Sequence, residues 1–388
     1  MRAVTDLLIV VGARPNFMKA APIVDAARRS DLTCTIVHTG QHYDKELSRV
    51  FFDELHLPLP DVSLGVGSGR HGEQTAKIMT AFEPELLRIT PSVVVVVGDV
   101  NSTIACALVA AKEGYPVAHV EAGLRCYDPR MPEEINRRLT DHISTYLYTS
   151  SRDADENLRR EGIEEERIVF VGNTMIDSLL RFRDLARQRE TAKRLGLNGE
   201  YAVVTLHRPD NVDDPHALRR ITEAIVVISR CVPVVFPIHP RTRSRAAADG
   251  LDRVLADEPG IVDTKALGYL DFLGLLSDAS LVLTDSGGIQ EETTVLGVPC
   301  LTLRPSTERP ITVTSGTNKV VGSDPERIIE EALTLLESPR RPAPIPELWD
   351  GRAAERIVES LRDELYAGLP VAAGERERGV AAARRAIS

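Results

Sequence analysis

Three acidic side chains in this sequence follow segments that predict the end of a strand or the start of a helix. Asp99 comes two residues after a run of five valines, Glu121 directly follows a short apolar run, and Glu133 opens a helical pattern. Short β-branched runs followed by helical patterns are typical of central strands in a parallel sheet, and ligands bind beyond the carboxyl ends of such strands. One such carboxylate can simply cap the next helix. Three of them, with His119 and Arg125 close by in the sequence, predict a site for proton transfer.

The segment Thr284–Glu292 predicts a strand, a tight turn and the start of a helix. Ser286 is a natural N-cap, and Gly287 and Gly288 let a ligand approach backbone N–H groups that have no partner inside the helix. A helix N-terminus favours negative charge by about 0.3–1 kcal/mol, so a diphosphate fits here. Glu292, farther along the helix, can accept hydrogen bonds from a ribose diol. The alternative for this segment is an ordinary capped helix.

Basic side chains stand near other predicted strand ends. Arg14 and Lys19 follow the first strand, where they can present cations to a phosphate, although a solvated lysine is the common alternative. His207 and His239 each end a predicted strand with an arginine close behind, which predicts a polar wall of a site. Arg309 supplies another phosphate or sugar contact. Neither G-x-G-x-x-G nor G-x-x-x-x-G-K-[ST] occurs, so the sequence lacks the fingerprints of dinucleotide and P-loop nucleotide sites.

Composition limits the classes of protein that fit. A chain of 388 residues with 43% hydrophobic content predicts two or three packed domains. The formal charge of -10 argues against non-specific binding to nucleic acid or to an anionic membrane. The 5 cysteines are scattered without a C-x-x-C pair, so neither a disulfide framework nor a zinc site is expected. No signal peptide and no apolar run of the roughly 20 residues needed to cross a membrane is found, and we expect a cytoplasmic protein.

Strand and helix patterns alternate along the chain in two series, which predicts two Rossmann-like halves with parallel sheets facing a central cleft. The predicted strands are 7–11, 34–39, 92–97, 117–120, 146–149 and 167–171, then 201–206, 233–238, 259–263, 280–284 and 299–303. We therefore expect an N-terminal domain over 1–171 and a nucleotide-binding domain over 172–352, with a hinge near Gly172 and a long helical stretch over 175–194. A helix is also expected over 353–367, and 370–388 should be a flexible tail.

Taken together, the segments resemble the non-hydrolysing UDP-N-acetylglucosamine 2-epimerases from about residue 7 to residue 366. Each motif alone is weak, but eight in the same order are specific. The motifs are G-x-R-P (12–15), T-G-Q-H (39–42), G-D (98–99), H-V-E-A-G-L-R (119–125), M-P-E-E-x-N-R (131–137), G-N-T (172–174), T-D-S-G-G-x-Q-E-E (284–292) and T-E-R-P (307–310).

The resemblance implies the two-domain, GT-B-like fold shared with one large class of glycosyltransferases, in which the final helix, expected here over 353–367, packs back on the N-terminal domain. It also implies that UDP-N-acetylglucosamine (UDP-GlcNAc) and UDP-N-acetylmannosamine (UDP-ManNAc) are interconverted. Because the sequence has neither a metal-ligand cluster nor a dinucleotide fingerprint, we expect no metal and no other cofactor. The family eliminates UDP to give 2-acetamidoglucal and adds UDP back with the opposite configuration at C2. The resemblance leaves open which carboxylate removes the proton at C2 and which returns it. We further expect a homodimer with no nucleic-acid or membrane partner.

Matching motif positions carry the family's residue roles onto this chain. The expected catalytic residues are Asp99, Glu121, Glu133 and His207. The expected contacts to the UDP-sugar are Arg14, Lys19, Arg125, Arg137, His239, Phe272 (against uracil), Ser286, Gly287, Gly288, Glu292 and Arg309.

The sequence departs from many bacterial members in two segments that form a second, activating UDP-GlcNAc site. It has Arg-Pro-Asp-Asn after His207 where those members have Arg-Arg-Glu-Asn, and it differs around 41–44. Archaeal-type members are more similar here, so the departures favour an enzyme without that second site. Three alternatives remain: a hydrolysing 2-epimerase that releases ManNAc and UDP, a glycosyltransferase of the same fold, and a non-catalytic UDP-sugar sensor.

Overall fold

Two parallel β-sheets, one in each half of the chain, form the framework of the computed structural model, which describes residues 5–41, 54–339 and 344–366. The first sheet has seven strands in the order β3-β2-β1-β4-β5-β6-β7, and the second has six in the order β10-β9-β8-β11-β12-β13. The strands of the first sheet are β1 (Leu7–Val11), β2 (Cys34–His38), β3 (Val62–Ser63), β4 (Val93–Val97), β5 (Val117–Ala122), β6 (Tyr146–Thr149) and β7 (Ile168–Phe170). Those of the second are β8 (Ala202–Thr205), β9 (Val234–Ile238), β10 (Ile261–Lys265), β11 (Leu281–Thr284), β12 (Cys300–Thr302) and β13 (Asn318–Val320).

Helices connect the strands on both faces of each sheet, because a parallel connection must cross over the sheet. In the first half they are α1 (Arg14–Arg29), α2 (His71–Ile89), α3 (Asn101–Lys112), α4 (Pro132–Ile143) and α5 (Arg152–Arg160), with a short 3-10 helix at Glu165–Arg167. In the second half they are α6 (Thr174–Gln188), α7 (Thr191–Arg194), α8 (Pro209–Val212), α9 (Pro215–Ser229), α10 (Pro240–Ala248), α11 (Leu251–Asp257), α12 (Tyr269–Asp278), α13 (Gly287–Leu296), α14 (Ile311–Thr314), α15 (Pro325–Glu337) and α16 (Ala353–Tyr366).

The order of the strands decides where a ligand can bind. In each sheet the direction of winding reverses once, between β1 and β4 in the first sheet and between β8 and β11 in the second. In doubly wound sheets the crevice outside the strand ends at this reversal is the usual ligand site. The segments that leave these four strands begin at Gly12, Gly98, Leu206 and Asp285. Candidate site residues of both halves therefore follow the strands at which winding reverses.

The central strands are buried on both faces, as the unbroken apolar runs predicted. All residues of β1 and β4 are buried, and their side chains divide between two apolar clusters on opposite faces of the sheet. The second sheet has its own core, in which β8, β9 and β11 pack against α9. At about 25 cal/mol per Å² of apolar surface removed from water, these cores supply the main driving force for folding. They also make a rigid base for the polar segments at the strand ends.

The last helix of the described chain joins the core of the first half. Ala354, Ile357 and Leu361 on α16 belong to the same buried cluster as residues of α1 and β1. The Asp177 carboxylate on α6 accepts from the backbone N–H groups of Ala353 and Ala354 at 3.1 and 2.7 Å, which caps the start of α16. The chain thus crosses from the first half to the second and returns.

The two-sheet α/β fold is confirmed, and several predicted bounds need correction. The stretch 175–194 was expected as one helix, but a left-handed residue at Glu190 (φ 47°) separates α6 from α7. β3 and β13 were not predicted, because two or three residues are too few to show an alternating pattern. The strand expected over 259–263 is shifted to Ile261–Lys265. The expected tail, 370–388, lies outside the described residues.

Candidate active site

Glu121 lies inside strand β5 rather than after it, which corrects the sequence prediction. The pairing of β5 with β6 shifts register between Val120 and Ala122, so Glu121 occupies a bulge, and its φ is +72°. A bulge inserts an extra residue into a strand and re-aims its side chain, and a positive φ in a residue other than glycine carries strain. The nearly buried Glu121 carboxylate contacts Lys19 Nζ and lies 2.8 Å from Arg309 Nη2. The strained bulge therefore aims this carboxylate at two cations.

Asp99 is held at the end of β4 by contacts to its backbone and to its side chain. Its carbonyl accepts from Asn136 Nδ2 at 2.9 Å, and its Oδ2 lies 2.5 Å from Arg137 Nη1. Burial alone would raise the pKa of Asp99, but Arg137, Lys19 and Arg309 together hold that pKa below its ordinary value. The side chain keeps 26% of its surface exposed. Asp99 is thus an ionised carboxylate that a ligand can reach.

Helix α4 carries two adjacent glutamates with different surroundings. Glu134 is buried, and its carboxylate accepts from the backbone N–H groups of Cys126 and Tyr127 at 3.1 and 3.2 Å and from Arg137 at 2.6 Å. Glu133 is half-buried, and within the described part of the chain its carboxylate has no hydrogen-bond or ion-pair partner. Glu134 therefore braces the loop before α4, whereas Glu133 is available to a ligand.

The turn between β1 and α1 is fixed by Asn16, which was not among the expected site residues. Its Oδ1 accepts from the N–H groups of Gly12 and Ala13 at 3.2 and 3.0 Å, and its Nδ2 donates to the carbonyl of Val97 at 2.8 Å. The start of α1 is thereby tied to the end of β4. One turn farther along α1, Lys19 reaches Glu121. The side chain of Arg14 lies outside the described part of the structure.

In the second half, His207 and Asp285 form a hydrogen-bonded pair at the reversal between β8 and β11. His207 Nδ1 lies 2.8 Å from Asp285 Oδ1, and the same carboxylate accepts from the backbone N–H groups of His207 and Arg208 at 3.0–3.1 Å. Burial would raise the pKa of Asp285, but His207 and these N–H groups hold it low. The ring of His207 is 43% exposed. A buried carboxylate thus orients an accessible imidazole.

Helix α13 begins beside this pair with two glycines, Gly287 and Gly288. Ser286 occupies the N-cap position as predicted, but its side chain makes no capping hydrogen bond. A Cβ atom at Gly287 would lie 2.2 Å from Arg309 Nη1, and one at Gly288 would lie 2.9 Å from the sulfur of Met175. A side chain at either position would therefore require Arg309 or Met175 to move. The first N–H groups of α13 carry the partial positive charge of a helix N-terminus.

Arg309 connects the two halves of the molecule. It donates to Glu121 of the first half, lies 2.8 Å from Glu291 Oε1, and contacts Glu308 Oε1 at 2.5 Å. Glu308 is further paired with Arg304 at 2.8 Å, and despite its burial these arginines hold its pKa well below the ordinary value. Arg309 is nearly buried, so this cluster is a shielded, mixed-charge centre on the cleft. Charges in such a place interact more strongly than at the surface.

Two buried glutamates on α13 have raised pKa values, unlike the buried carboxylates described above. Burial raises the pKa of Glu292 to about 8, with a further contribution from the charge of Glu291. Burial also raises the pKa of Glu291, although Arg309 opposes that change. The hydroxyl of Tyr269 lies beside the Glu292 carboxyl and opposes the rise in its pKa through a hydrogen bond. The expected ribose contact is thus a buried carboxyl group that already has one neighbouring hydroxyl.

Three of the residues expected to touch the ligand have other contacts. The guanidinium of Arg125 is fully buried and pairs with Asp141 and Glu161, each at 2.7 Å, which favours a supporting role. His239 is exposed and caps α10 by accepting from the N–H of Arg241 at 3.3 Å. Phe272 is half-buried on α12 and packs against an apolar cluster of the second half. Arg137 was also expected to touch the ligand, and it contacts the Asp99 carboxylate directly.

Four residues near the candidate site were not expected from the sequence: Asp285, Asn136, Glu291 and Glu308. Asp285 carries the same signal as Asp99, a carboxylate directly after an apolar strand, and could have been found by it. Asn136 lies one helical turn after Glu133 and could have been placed on the same face. Among the described residues, no group of three or more His, Cys, Asp or Glu side chains could hold a metal ion. No described helix combines the length and apolarity needed to cross a membrane.

Comparison with known proteins gives a consistent result. The family model described as UDP-N-acetylglucosamine 2-epimerase matches residues 25–362. The chain is 44% identical over 366 residues to a UDP-N-acetylglucosamine 2-epimerase of Methanocaldococcus jannaschii, covering 92% of this chain and 98% of that protein. It is also 44% identical over 362 residues to a UDP-2,3-diacetamido-2,3-dideoxy-D-glucuronate 2-epimerase of Pseudomonas aeruginosa, covering 92% and 99%.

A solved structure is similar over the same length. The crystal structure of Methanocaldococcus jannaschii UDP-GlcNAc 2-epimerase in complex with UDP-GlcNAc and UDP superposes with a TM-score of 0.87 at 44% identity. The match covers 92% of this chain and 99% of that one.

Proposed function

The chain belongs to the UDP-N-acetylglucosamine 2-epimerase family, and we propose that it interconverts UDP-GlcNAc and UDP-ManNAc without net release of the nucleotide. The observation that carries this proposal is the contact between Arg309 and Glu121 across the cleft, 2.8 Å long. It brings proton-transfer groups of the first half and anion-binding groups of the second half to one place. A reaction that removes a proton and expels a diphosphate needs both.

The proposed reaction proceeds in two steps. In the first, a carboxylate takes the proton from C2 while the C1–O bond to UDP breaks and a C1=C2 double bond forms, which gives 2-acetamidoglucal and UDP. In the second, UDP adds back to C1 while a second group returns a proton to the opposite face of C2. Asp99, Glu121 and Glu133 are the proposed proton donors and acceptors. Each positioned acid–base group typically contributes about 10²–10⁴-fold to the rate.

The departing diphosphate needs positive charge, because negative charge develops on its oxygen as the C1–O bond breaks. Lys19, Arg309 and the first N–H groups of α13 supply that charge. Lys19 and Arg309 are both paired with Glu121. A bound diphosphate would exchange these partners and free Glu121 for proton transfer. Cations and N–H groups held in position before the reaction stabilise such charge efficiently.

His207 is the proposed contact of the second half to the reacting sugar nucleotide. Asp285 accepts from its Nδ1, so Nε2 faces outward on an accessible ring. In such a pair the buried carboxylate fixes both the orientation and the tautomer of the imidazole. An oriented Nε2 can hydrogen-bond to a diphosphate oxygen or to the sugar. His207 would therefore assist departure and return of UDP.

Retention of the glycal distinguishes this proposal from hydrolysis. The two halves contact each other through Arg309 and Glu121, and both side chains are nearly buried. Closure of this kind excludes water from a reactive intermediate. The proposed enzyme is therefore of the non-hydrolysing type, in contrast to one that releases ManNAc and UDP.

The test is incubation of the pure protein with UDP-GlcNAc alone in deuterated water, followed by proton and phosphorus NMR. We expect UDP-ManNAc and UDP-GlcNAc that both carry deuterium at C2 and keep their diphosphate. Formation of free ManNAc and UDP would show a hydrolysing enzyme. No exchange at C2 despite binding of UDP-GlcNAc would show a sensor, and sugar transfer to an added acceptor would show a glycosyltransferase.

A second candidate substrate follows from the comparisons. The Pseudomonas aeruginosa relative is as similar as the Methanocaldococcus jannaschii one, at 44% each. Its named substrate shares the UDP group and the acetamido group at C2 but adds an acetamido group at C3 and a carboxylate at C6. Parallel assays with both compounds at equal concentration would decide between them, and a higher kcat/KM for UDP-GlcNAc is expected. We also propose a cytoplasmic homodimer, which light scattering after size exclusion and cell fractionation would test.

A further inference from the structure

A fully buried histidine lies between the two strands that carry Asp99 and Glu121. His119 is in the middle of β5, and its ring has no exposed surface. Its Nε2 lies 2.8 Å from the carbonyl oxygen of Gly98, and its Nδ1 lies 2.6 Å from Asp141 Oδ1. A carbonyl oxygen only accepts, so Nε2 carries a hydrogen. The ring therefore links two groups that are 43 residues apart in the sequence, as their numbers show.

The Gly98 contact bears directly on Asp99, the next residue. Gly98 adopts a positive φ of 70°, and its N–H donates to the carbonyl of Val120 at 3.0 Å. The Gly98 peptide is therefore held at its N–H by the backbone of β5 and at its carbonyl by the side chain of His119. Without the imidazole, the carbonyl would be buried without this partner, and the peptide between Gly98 and Asp99 would lose one of the bonds that fix its orientation. The direction of the Asp99 side chain depends on that turn.

The Asp141 contact ties the same histidine to helix α4. Glu133, Arg137 and Asp141 are spaced four residues apart, which places them along one face of the helix. Burial would raise the pKa of Asp141, but His119 and Arg125 hold it low, so its carboxylate accepts. Asp141 Oδ2 also accepts from the N–H of Gly123 at 3.2 Å. The helix face that carries Glu133 and Arg137 is thereby fixed to β5.

We propose that His119 is a positioning residue that, together with Asp141, sets the separation and orientation of Asp99, Glu121 and helix α4 for the reaction. The inference rests on the proposed epimerase function. One imidazole bonds to the turn before Asp99, lies two residues before Glu121, and bonds to the helix of Glu133. Arg125, through its pair with Asp141, supports the arrangement from behind. His119 touches no substrate in this scheme and acts through its neighbours.

Two substitutions distinguish the effects of the two hydrogen bonds that the ring makes. In His119→Gln the amide nitrogen lies near the original Nε2 and can still donate to Gly98, whereas the bond to Asp141 is lost. In His119→Asn the amide lies near the original Nδ1 and can still donate to Asp141, whereas no group reaches Gly98. Because a displacement of about 1 Å can cost roughly 10²-fold in rate, we expect His119→Asn to lose on the order of 10²-fold in kcat with little change in KM. We expect His119→Gln to recover a large part of that loss.

A matched control measures the effect of lost stability alone. Thr222 is buried on α9 in the second half, and its hydroxyl donates to the carbonyl of Leu218 at 2.8 Å. Thr222→Val removes one buried hydrogen bond far along the chain from the site. It should lower the melting temperature while kcat stays near the wild-type value. Melting temperatures of all three variants are measured with their kinetics.

Equal loss of kcat in the Asn and Gln variants, or a loss that tracks melting temperature in all three, would overturn the proposal. Crystal structures give a readout independent of turnover: the 2.5 Å contact between Asp99 and Arg137 should lengthen in His119→Asn and persist in His119→Gln. An unchanged contact in His119→Asn would also overturn it. Failure of the epimerase function itself would appear separately, as a wild-type protein without turnover. The two crystal structures would then still decide the positioning role.

Discussion

Arg309 Nη2 donates to Glu121 Oε1 at 2.8 Å, although the two residues are 188 positions apart and belong to different halves of the chain. The same guanidinium also contacts Glu291 and Glu308. A diphosphate that binds Arg309 therefore competes with carboxylates that already neutralise it. Binding of UDP and release of the Glu121 carboxylate should be linked.

Substitution of the three candidate carboxylates should remove turnover without unfolding the protein. Asp99→Asn, Glu121→Gln and Glu133→Gln should each lower kcat by at least about 10²-fold, because each keeps the shape of the side chain but loses its basicity. Steady-state kinetics and circular dichroism measure the two properties. Glu134→Gln is the matched control: Glu134 braces the loop through Cys126 and Tyr127, so stability should fall more than kcat. Near-normal turnover in all three carboxylate variants would remove them from the mechanism.

Loss of Arg309 should weaken the hold on the leaving group. In Arg309→Ala, we expect a larger fraction of free 2-acetamidoglucal and UDP among the products, because the departing diphosphate loses a nearly buried cation. Chromatography of the products at equal conversion measures this fraction. The substitution also leaves Glu291 and Glu308 without that partner, so the folded fraction must be measured by thermal unfolding. A product ratio that matches wild type would exclude Arg309 from retention of the intermediate.

The buried carboxyl of Glu292 should make stability depend on pH. Its pKa is raised from 4.5 to about 8 in the folded protein by burial. Below about pH 4.5 the Glu292 carboxyl is protonated in both the folded and the unfolded protein. Between about pH 4.5 and 8 it loses its proton only in the unfolded protein. The free energy of unfolding should therefore fall as pH rises from about 4.5 to 8. Denaturant unfolding across this range should show a smaller fall for Glu292→Gln than for wild type, and equal slopes would contradict the assignment.

The sequence around His207 favours an enzyme without a second, activating site. We expect UDP-ManNAc alone to be converted without a lag, and trace UDP-GlcNAc to leave the initial rate unchanged. Continuous recording of product from the first seconds measures this. The other segment on which this prediction rests, around 41–44, is described only as far as Gln41, which bonds to Ser102; residues 42–44 lie outside the described part of the chain. A lag that disappears with added UDP-GlcNAc would show that the activating site is present.

A ligand that touches both halves should favour their closed arrangement. Lys19 and Asp99 belong to the first half, whereas His207 and Arg309 belong to the second, so UDP gains contacts when they approach. We expect saturating UDP to lower the radius of gyration in solution scattering. Uridine, which lacks the diphosphate, is the control and should have a smaller effect. A scattering profile that UDP leaves unchanged would count against closure.

Much of this site could be predicted from the sequence because its residues stand at strand ends. A run such as Val93–Val97 shows where a buried strand ends, and the next polar residue must then lie at the edge of the sheet. That reasoning places Asp99 and the turn before α13. It gives Glu121 only approximately, because nothing in the sequence distinguishes a strand end from a bulge. The bulge follows from the pairing of β5 with β6.

The sequence by itself determined the two-sheet fold, the strand ends and the types of side chain there, because hydrophobic periodicity and turn chemistry are local properties. Only the tertiary structure decided which charged groups meet. It paired Arg125 with Asp141 and Glu161, engaged Glu134 rather than Glu133, and placed His119 between Gly98 and Asp141. Helical spacing identifies the face of α4 that carries Glu133 and Asp141, but not the strand against which that face packs. Partners of buried charges are set by contacts between distant segments, and those contacts exist only once both sheets have formed.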